Sequence, residues 1–121
     1  MNVGIDIVEI AQVKQVSNLE RFLDKYYSIE EIKYIRHKSV RKEQTIAGIF
    51  AAKEAFLKAL EIGIGSEISL KDVVVEHKEN NAPYILLNEP VLKLLKKYNY
   101  SSIDISISHG GEYSIAICNL K

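Results

Sequence analysis

Residues 102–120 read SIDISISHGGEYSIAICNL. Two alternating runs, SIDISISH (102–109) and EYSIAICNL (112–120), meet at Gly110 and Gly111. Side chains alternate across a strand, and a glycine pair between two such runs is a β-hairpin signature. In the first run Ile103, Ile105, Ile107 and His109 share one parity, and Asp104, Ser106 and Ser108 the other. In the second, Tyr113, Ile115 and Ile117 oppose Ser114, Ala116 and Cys118.

Working outward, VGIDIVEI (3–10) reads as a further strand, buried on both faces, with Asp6 inside it. The stretch 11–27 carries Val13, Val16, Leu19 and Leu23 at mostly helical spacing. Ser28 with Glu31 three residues on is a capping box and opens a helix over 29–37. A basic connector, RHKSVRK (36–42), leads to the longest helix, 42–60, with an apolar stripe of Ile46, Ile49, Phe50, Phe56, Leu57 and Leu60. Gly63 and Gly65 end it. DVVVEH (72–77) and PYILL (83–87) read as two strands, and Asn88 caps a helix through EPVLKLLKKY. The order β-α-α-α-β-β-α-β-β predicts a single α+β domain over 1–121, with a small antiparallel sheet on the long helix.

The 16 basic and 16 acidic residues among 121 cancel, so no global field draws the chain to nucleic acid or membranes. No apolar run approaches the roughly 18 residues of a membrane span, and the immediate strand pattern argues against a secretory signal. A single cysteine, Cys118, cannot form an internal disulfide and fits a reducing cytoplasm as a small core residue.

Three positions can carry chemistry. Asp6 needs a partner, either structural (backbone amides or an arginine) or a hard cation. Glu54 lies mid-helix among Ala51, Ala52 and Ala55. It either pairs with Lys58 at i,i+4 or holds a metal while Lys58 or Lys53 neutralises phosphate. His109 ends its strand beside two glycines, as a rim residue or at a ligand.

GIDIVEI, FAAKEAFLKAL and SISHGGEY, in this order, resemble the holo-acyl-carrier-protein synthases, the small group of 4′-phosphopantetheinyl transferases. The resemblance covers nearly the whole chain. It implies transfer of phosphopantetheine from coenzyme A to a serine of apo acyl carrier protein, with adenosine 3′,5′-bisphosphate as the other product, and a magnesium requirement. By motif Asp6 and Glu54 become metal ligands; Glu54, Lys58 and His109 become catalytic. Lys53, Lys58, Gly63, Gly65, Arg41 and His109 fall to the coenzyme A site, and Lys14 and Arg21 to carrier docking. It also implies a cytoplasmic homotrimer with active sites between subunits.

Three positions depart from the family pattern. Ile49 stands where arginine is common, Glu61 where the loop glycine is common, and Gln12 where the first helix often has arginine. The basic connector (Arg36, Lys38, Arg41, Lys42) is the substitute for the missing arginine. A non-catalytic module that binds coenzyme A or a carrier is the alternative these departures leave open.

Overall fold

The computed structural model describes residues 2–38 and 40–121, so Ser39 of the basic connector lies outside the described residues. Strand β1 (Asn2–Glu9) is followed by helices α1 (Ile10–Lys14), α2 (Leu19–Tyr26), α3 (Ile29–His37) and α4 (Lys42–Leu60). A 3₁₀ turn (Leu70–Asp72), β2 (Val75–His77), β3 (Pro83–Ile85), α5 (Glu89–Lys97), β4 (Ile103–Gly110) and β5 (Tyr113–Leu120) complete the chain. The expected α+β architecture is present: an antiparallel three-stranded sheet, order β1-β5-β4, lies against α4, and β2-β3 form a separate two-stranded sheet.

Local chemistry sets most boundaries. Ser28 Oγ accepts from the Glu31 amide while the Glu31 carboxylate accepts from the Ser28 amide, closing the capping box. Asn88 caps α5, with proline in the first turn. The stretch 11–27 is two helices rather than one, because the Asn18 side chain accepts from the Arg21 amide and restarts the helix. Helix α4 is buried nearly all round, well beyond the predicted stripe, as befits a central element.

Strand β1 corrects a second expectation. Only one of its faces is covered: Gly4, Asp6 and Val8 look toward α4, while Val3, Ile5 and Ile7 are 56–59 % exposed. On β5 the small residues Ser114, Ala116 and Cys118 are buried, and Tyr113, Ile115 and Ile117 face outward. The Cys118 thiol is pushed up to about 12, first by burial and then by Asp104, so it stays protonated and inert.

Gly4 is where strand and helix come closest. A Cβ there would lie 2.0 Å from the Ala55 carbonyl oxygen and 2.5 Å from the Ala59 nitrogen. Both are backbone atoms of α4, so the obstacle cannot be relieved by turning a side chain. Gly4→Ala is expected to lower stability by about 2–3 kcal/mol, the upper part of the overpacking range, in urea unfolding. A change below about 0.5 kcal/mol would show that β1 and α4 do not meet this closely.

Candidate active site at the crossing of the first strand and the central helix

Asp6 lies two residues beyond Gly4 on the same face of β1, opposite Ala116 of β5. Its side chain is only 14 % exposed, and its Oδ1 accepts a hydrogen bond of 2.8 Å from Lys58 Nζ. Glu54, one turn before Lys58 on α4, is half-buried beside them. Burial raises the Glu54 carboxyl, the Asp6 charge raises it further, and Lys58 lowers it. Lys58 is therefore paired across to β1 rather than along its own helix with Glu54. Two carboxylates share one ammonium, and the excess negative charge is partly withdrawn from water. A hard divalent cation relieves that arrangement, and magnesium is commonly held by one or two carboxylates plus phosphate oxygens. The donor set fits such an ion, although no cluster of three or more His, Cys, Asp or Glu suited to a metal occurs among the described residues.

Lys53 corrects the sequence reading. It is 0 % exposed and sits in the core. Its three protons go to Glu31 Oε1 at 2.6 Å, the Tyr26 carbonyl at 2.8 Å and the Leu70 carbonyl at 2.8 Å. Its ammonium also lies 5.0 Å from the centre of the Tyr27 ring. Glu31 in turn accepts from the Val75 amide. Burial pushes the Glu31 carboxyl up and the Lys53 ammonium down, while each favours the charge of the other. Lys53 thus ties three segments to α4, and a fourth, β2, through Glu31, and has no access to a ligand.

His109 does not join Asp6 and Glu54. It sits on β4, on the other flank of β5, paired with Ser114, whereas Asp6 pairs with Ala116. Strand spacing and rise put the two α-carbons roughly 12 Å apart. His109 Nδ1 is 2.6 Å from Ser114 Oγ, which donates to the Gln44 carbonyl at 3.3 Å. Burial lowers the His109 imidazole. A Cβ on Gly48 would come within 2.9 Å of the His109 ring, so glycine allows the imidazole to lie over α4.

His109 opens onto a cleft of about 200 Å³ also lined by Tyr34, Lys38, Ile49, His77 and Asn81, with no carboxylate in its lining. The Tyr34 and His77 rings stack with centroids 4.0 Å apart, and Lys38 Nζ lies 5.0 Å from the Tyr34 ring centre. Tyr34, His77 and Asn81 were missed in the sequence, where they read as ordinary helix, strand and turn residues. Of the basic connector, Lys38 lines this cleft, whereas Arg36 pairs with Glu20 at 2.9 Å. Arg41 is exposed in left-handed backbone at φ 62°. Gly63 and Gly65 lie in the exposed loop after α4, Gly65 at φ 72°. That loop is entered through Glu61, itself left-handed at φ 60°, a position suited to glycine.

Lys14, at the end of α1, and Arg21, on α2, are both exposed. Near them Val8, Val13, Val16, Phe22 and Phe50 line an apolar cavity of about 220 Å³. Val8 is two residues past Asp6 and Phe50 one turn before Glu54, so this cavity adjoins the acidic pair.

Comparison with known proteins agrees with this geometry. The profile of the 4′-phosphopantetheinyl transferase superfamily matches residues 2–118, and the chain belongs to that family. It is 37 % identical to the holo-[acyl-carrier-protein] synthase of Sulfurimonas denitrificans, over 98 % of this chain and 93 % of that protein. It is 41 % identical to that of Helicobacter acinonychis, over 95 % and 96 %. The crystal structure of the Helicobacter pylori holo-[acyl-carrier-protein] synthase in complex with coenzyme A superimposes with a TM-score of 0.85 at 36 % identity, over 98 % of this chain and 99 % of that one.

The electrostatics of the acidic pair are open to direct test. Because Asp6 raises Glu54, Asp6→Asn is expected to lower the Glu54 titration midpoint in carbon-detected NMR. An unmoved midpoint would mean that the two carboxylates do not face each other.

Proposed function

We propose that this chain transfers the 4′-phosphopantetheine group of coenzyme A to a serine hydroxyl of an apo acyl carrier protein, releasing adenosine 3′,5′-bisphosphate. The observation that carries the reading is the convergence of Asp6, Glu54 and Lys58 at one partly buried place. Relatives named for this activity, similar over nearly the full chain, support it.

The serine oxygen attacks the phosphorus bearing the pantetheine, and the bond to the nucleotide phosphate breaks. Lys58 offsets the charge that grows on the phosphate oxygens. The serine proton passes to Glu54 or to a water held beside it. Asp6 and Glu54 would hold Mg²⁺, whose chemistry is to neutralise the phosphate oxygens. The carboxylate-free cleft with Lys38, His109 and the Tyr34–His77 stack suits the anionic nucleotide end of coenzyme A, with Arg41 at its approach; the Gly63–Gly65 loop follows the opposite end of α4 and would reach bound coenzyme A only from a neighbouring subunit.

The carrier docks on the α1–α2 side. Acyl carrier proteins are acidic, and Lys14 and Arg21 supply the complementary charge. The adjoining apolar cavity takes an apolar side chain beside the acceptor serine.

The outer face of the sheet is the proposed contact of a homotrimer. Val3, Ile5 and Ile7 lie beside Ile115 and Ile117 in the β1–β5 register, forming one exposed apolar patch. Association there would bring the separated elements of the site together between subunits. We assign the enzyme to the cytoplasm, as the family resemblance implies; among the described residues no helix is long and apolar enough to cross a membrane.

Intact-mass analysis of an apo carrier incubated with the protein, coenzyme A and Mg²⁺ should show the gain of one phosphopantetheine, abolished by chelator. Asp6→Ala and Glu54→Ala should each reduce the rate by at least about 100-fold with the fold retained. No gain with coenzyme A binding intact would favour the non-catalytic binding module. Neutralising Lys14 and Arg21 together should raise KM for the carrier about tenfold and leave KM for coenzyme A unchanged. Equal effects on both substrates would move the docking face elsewhere.

A further inference from the structure

We propose that Lys58 is a placeholder cation: its ammonium holds the Asp6 carboxylate until a divalent cation binds at Asp6 and Glu54, which releases Lys58 to the substrate phosphate. This rests on the reading of Asp6 and Glu54 as metal ligands and adds an order of events to it.

Three observations point the same way. Lys58 Nζ lies 2.8 Å from Asp6 Oδ1, so the ammonium occupies one of the positions that this carboxylate offers a cation. The partners differ in freedom: the Asp6 side chain is 14 % exposed on a strand, and the Lys58 side chain is 54 % exposed on a flexible stem. If the contact breaks, it is Lys58 that moves, and toward solvent. Finally, Lys58 pairs with Asp6 on β1 rather than with Glu54 one turn back on its own helix. The ion pair therefore bridges the two elements between which the divalent cation would sit.

An ammonium and a divalent cation a few ångströms apart repel strongly in a partly desolvated site, so Asp6 does not retain both at full strength. A phosphate oxygen offers the displaced ammonium a new anionic partner. Metal and coenzyme A then favour each other's binding through Lys58, in addition to any direct contact between them.

The test uses the full chain and Mn²⁺ as probe, with free Mn²⁺ followed by electron paramagnetic resonance, with and without coenzyme A. Without coenzyme A, Lys58→Met should bind Mn²⁺ about two- to fivefold more tightly than the parent protein, the upper range of one part-exposed ion pair. The factor by which coenzyme A strengthens Mn²⁺ binding should be smaller in Lys58→Met than in the parent. Mn²⁺ binding to Lys58→Met no tighter than to the parent would overturn the proposal. So would tighter binding with an undiminished coenzyme A factor, which reports only the loss of a nearby positive charge. Asp6→Asn separates the two layers. If Asp6→Asn loses Mn²⁺ while Lys58→Met matches the parent, the metal site stands and the placeholder falls. If Asp6→Asn binds Mn²⁺ like the parent, or the parent binds none, both fall.

Discussion

The close approach of Gly4 to the backbone of α4 is the contact from which the site follows. Without a side chain at Gly4, β1 lies against Ala55 and Ala59, and the next inward position along the strand is Asp6. A carboxylate held this near a buried helix must find a cation, and α4 supplies one from Lys58. The same proximity sets Glu54 beside Asp6 and raises its carboxyl. A functional pair of acids thus arises from a strand glycine, two small helix residues and the two-residue period of a strand.

The helix must also be held at one roll angle, because a modest rotation would carry Glu54 away from β1. The buried Lys53–Glu31 pair performs this. Lys53 precedes Glu54 directly, and its ammonium is tied to the end of α2, to α3 and to the 3₁₀ turn. A buried ion pair is often no more stabilising than a hydrophobic replacement, so its value here lies in fixing geometry. At the other end of α4, Gly48 lets His109 settle over the helix. One helix therefore positions both the acidic pair and the histidine cleft.

Elements defined by short-range chemistry were legible in the sequence. The capping box of Ser28 and Glu31, the uninterrupted run of α4, the Asn88 cap and the glycine turn between β4 and β5 each depend on residues a few positions apart. Asp6, Glu54 and His109 drew attention one at a time, each with an ordinary structural explanation; they joined Lys58 in one site only when three separated motifs were read together, as a family resemblance. Periodicity misled twice. Val13, Val16, Leu19 and Leu23 keep helical phase across the Asn18 cap, which hides the break between α1 and α2. The continuous apolar run of β1 suggested two covered faces, yet the outer one is open within this chain. Helical spacing favours Lys58 over Lys53, since it lies one turn beyond Glu54 on the same side, but only the three-dimensional surroundings make Lys53 a core strut and Lys58 a surface cation. The cleft of Tyr34, Lys38 and His77 joins segments some forty residues apart and left no local signal.

The central claim is that Asp6 and Glu54 jointly hold a divalent cation at the β1–α4 crossing. Anomalous diffraction from crystals grown with Mn²⁺ and coenzyme A tests it most directly. The account predicts a manganese peak bonded to both carboxylates and to phosphate oxygens of coenzyme A, with Lys58 moved from Asp6 onto the phosphate. A peak elsewhere, such as at His77 and His109, or none near Asp6 with coenzyme A bound, would contradict it.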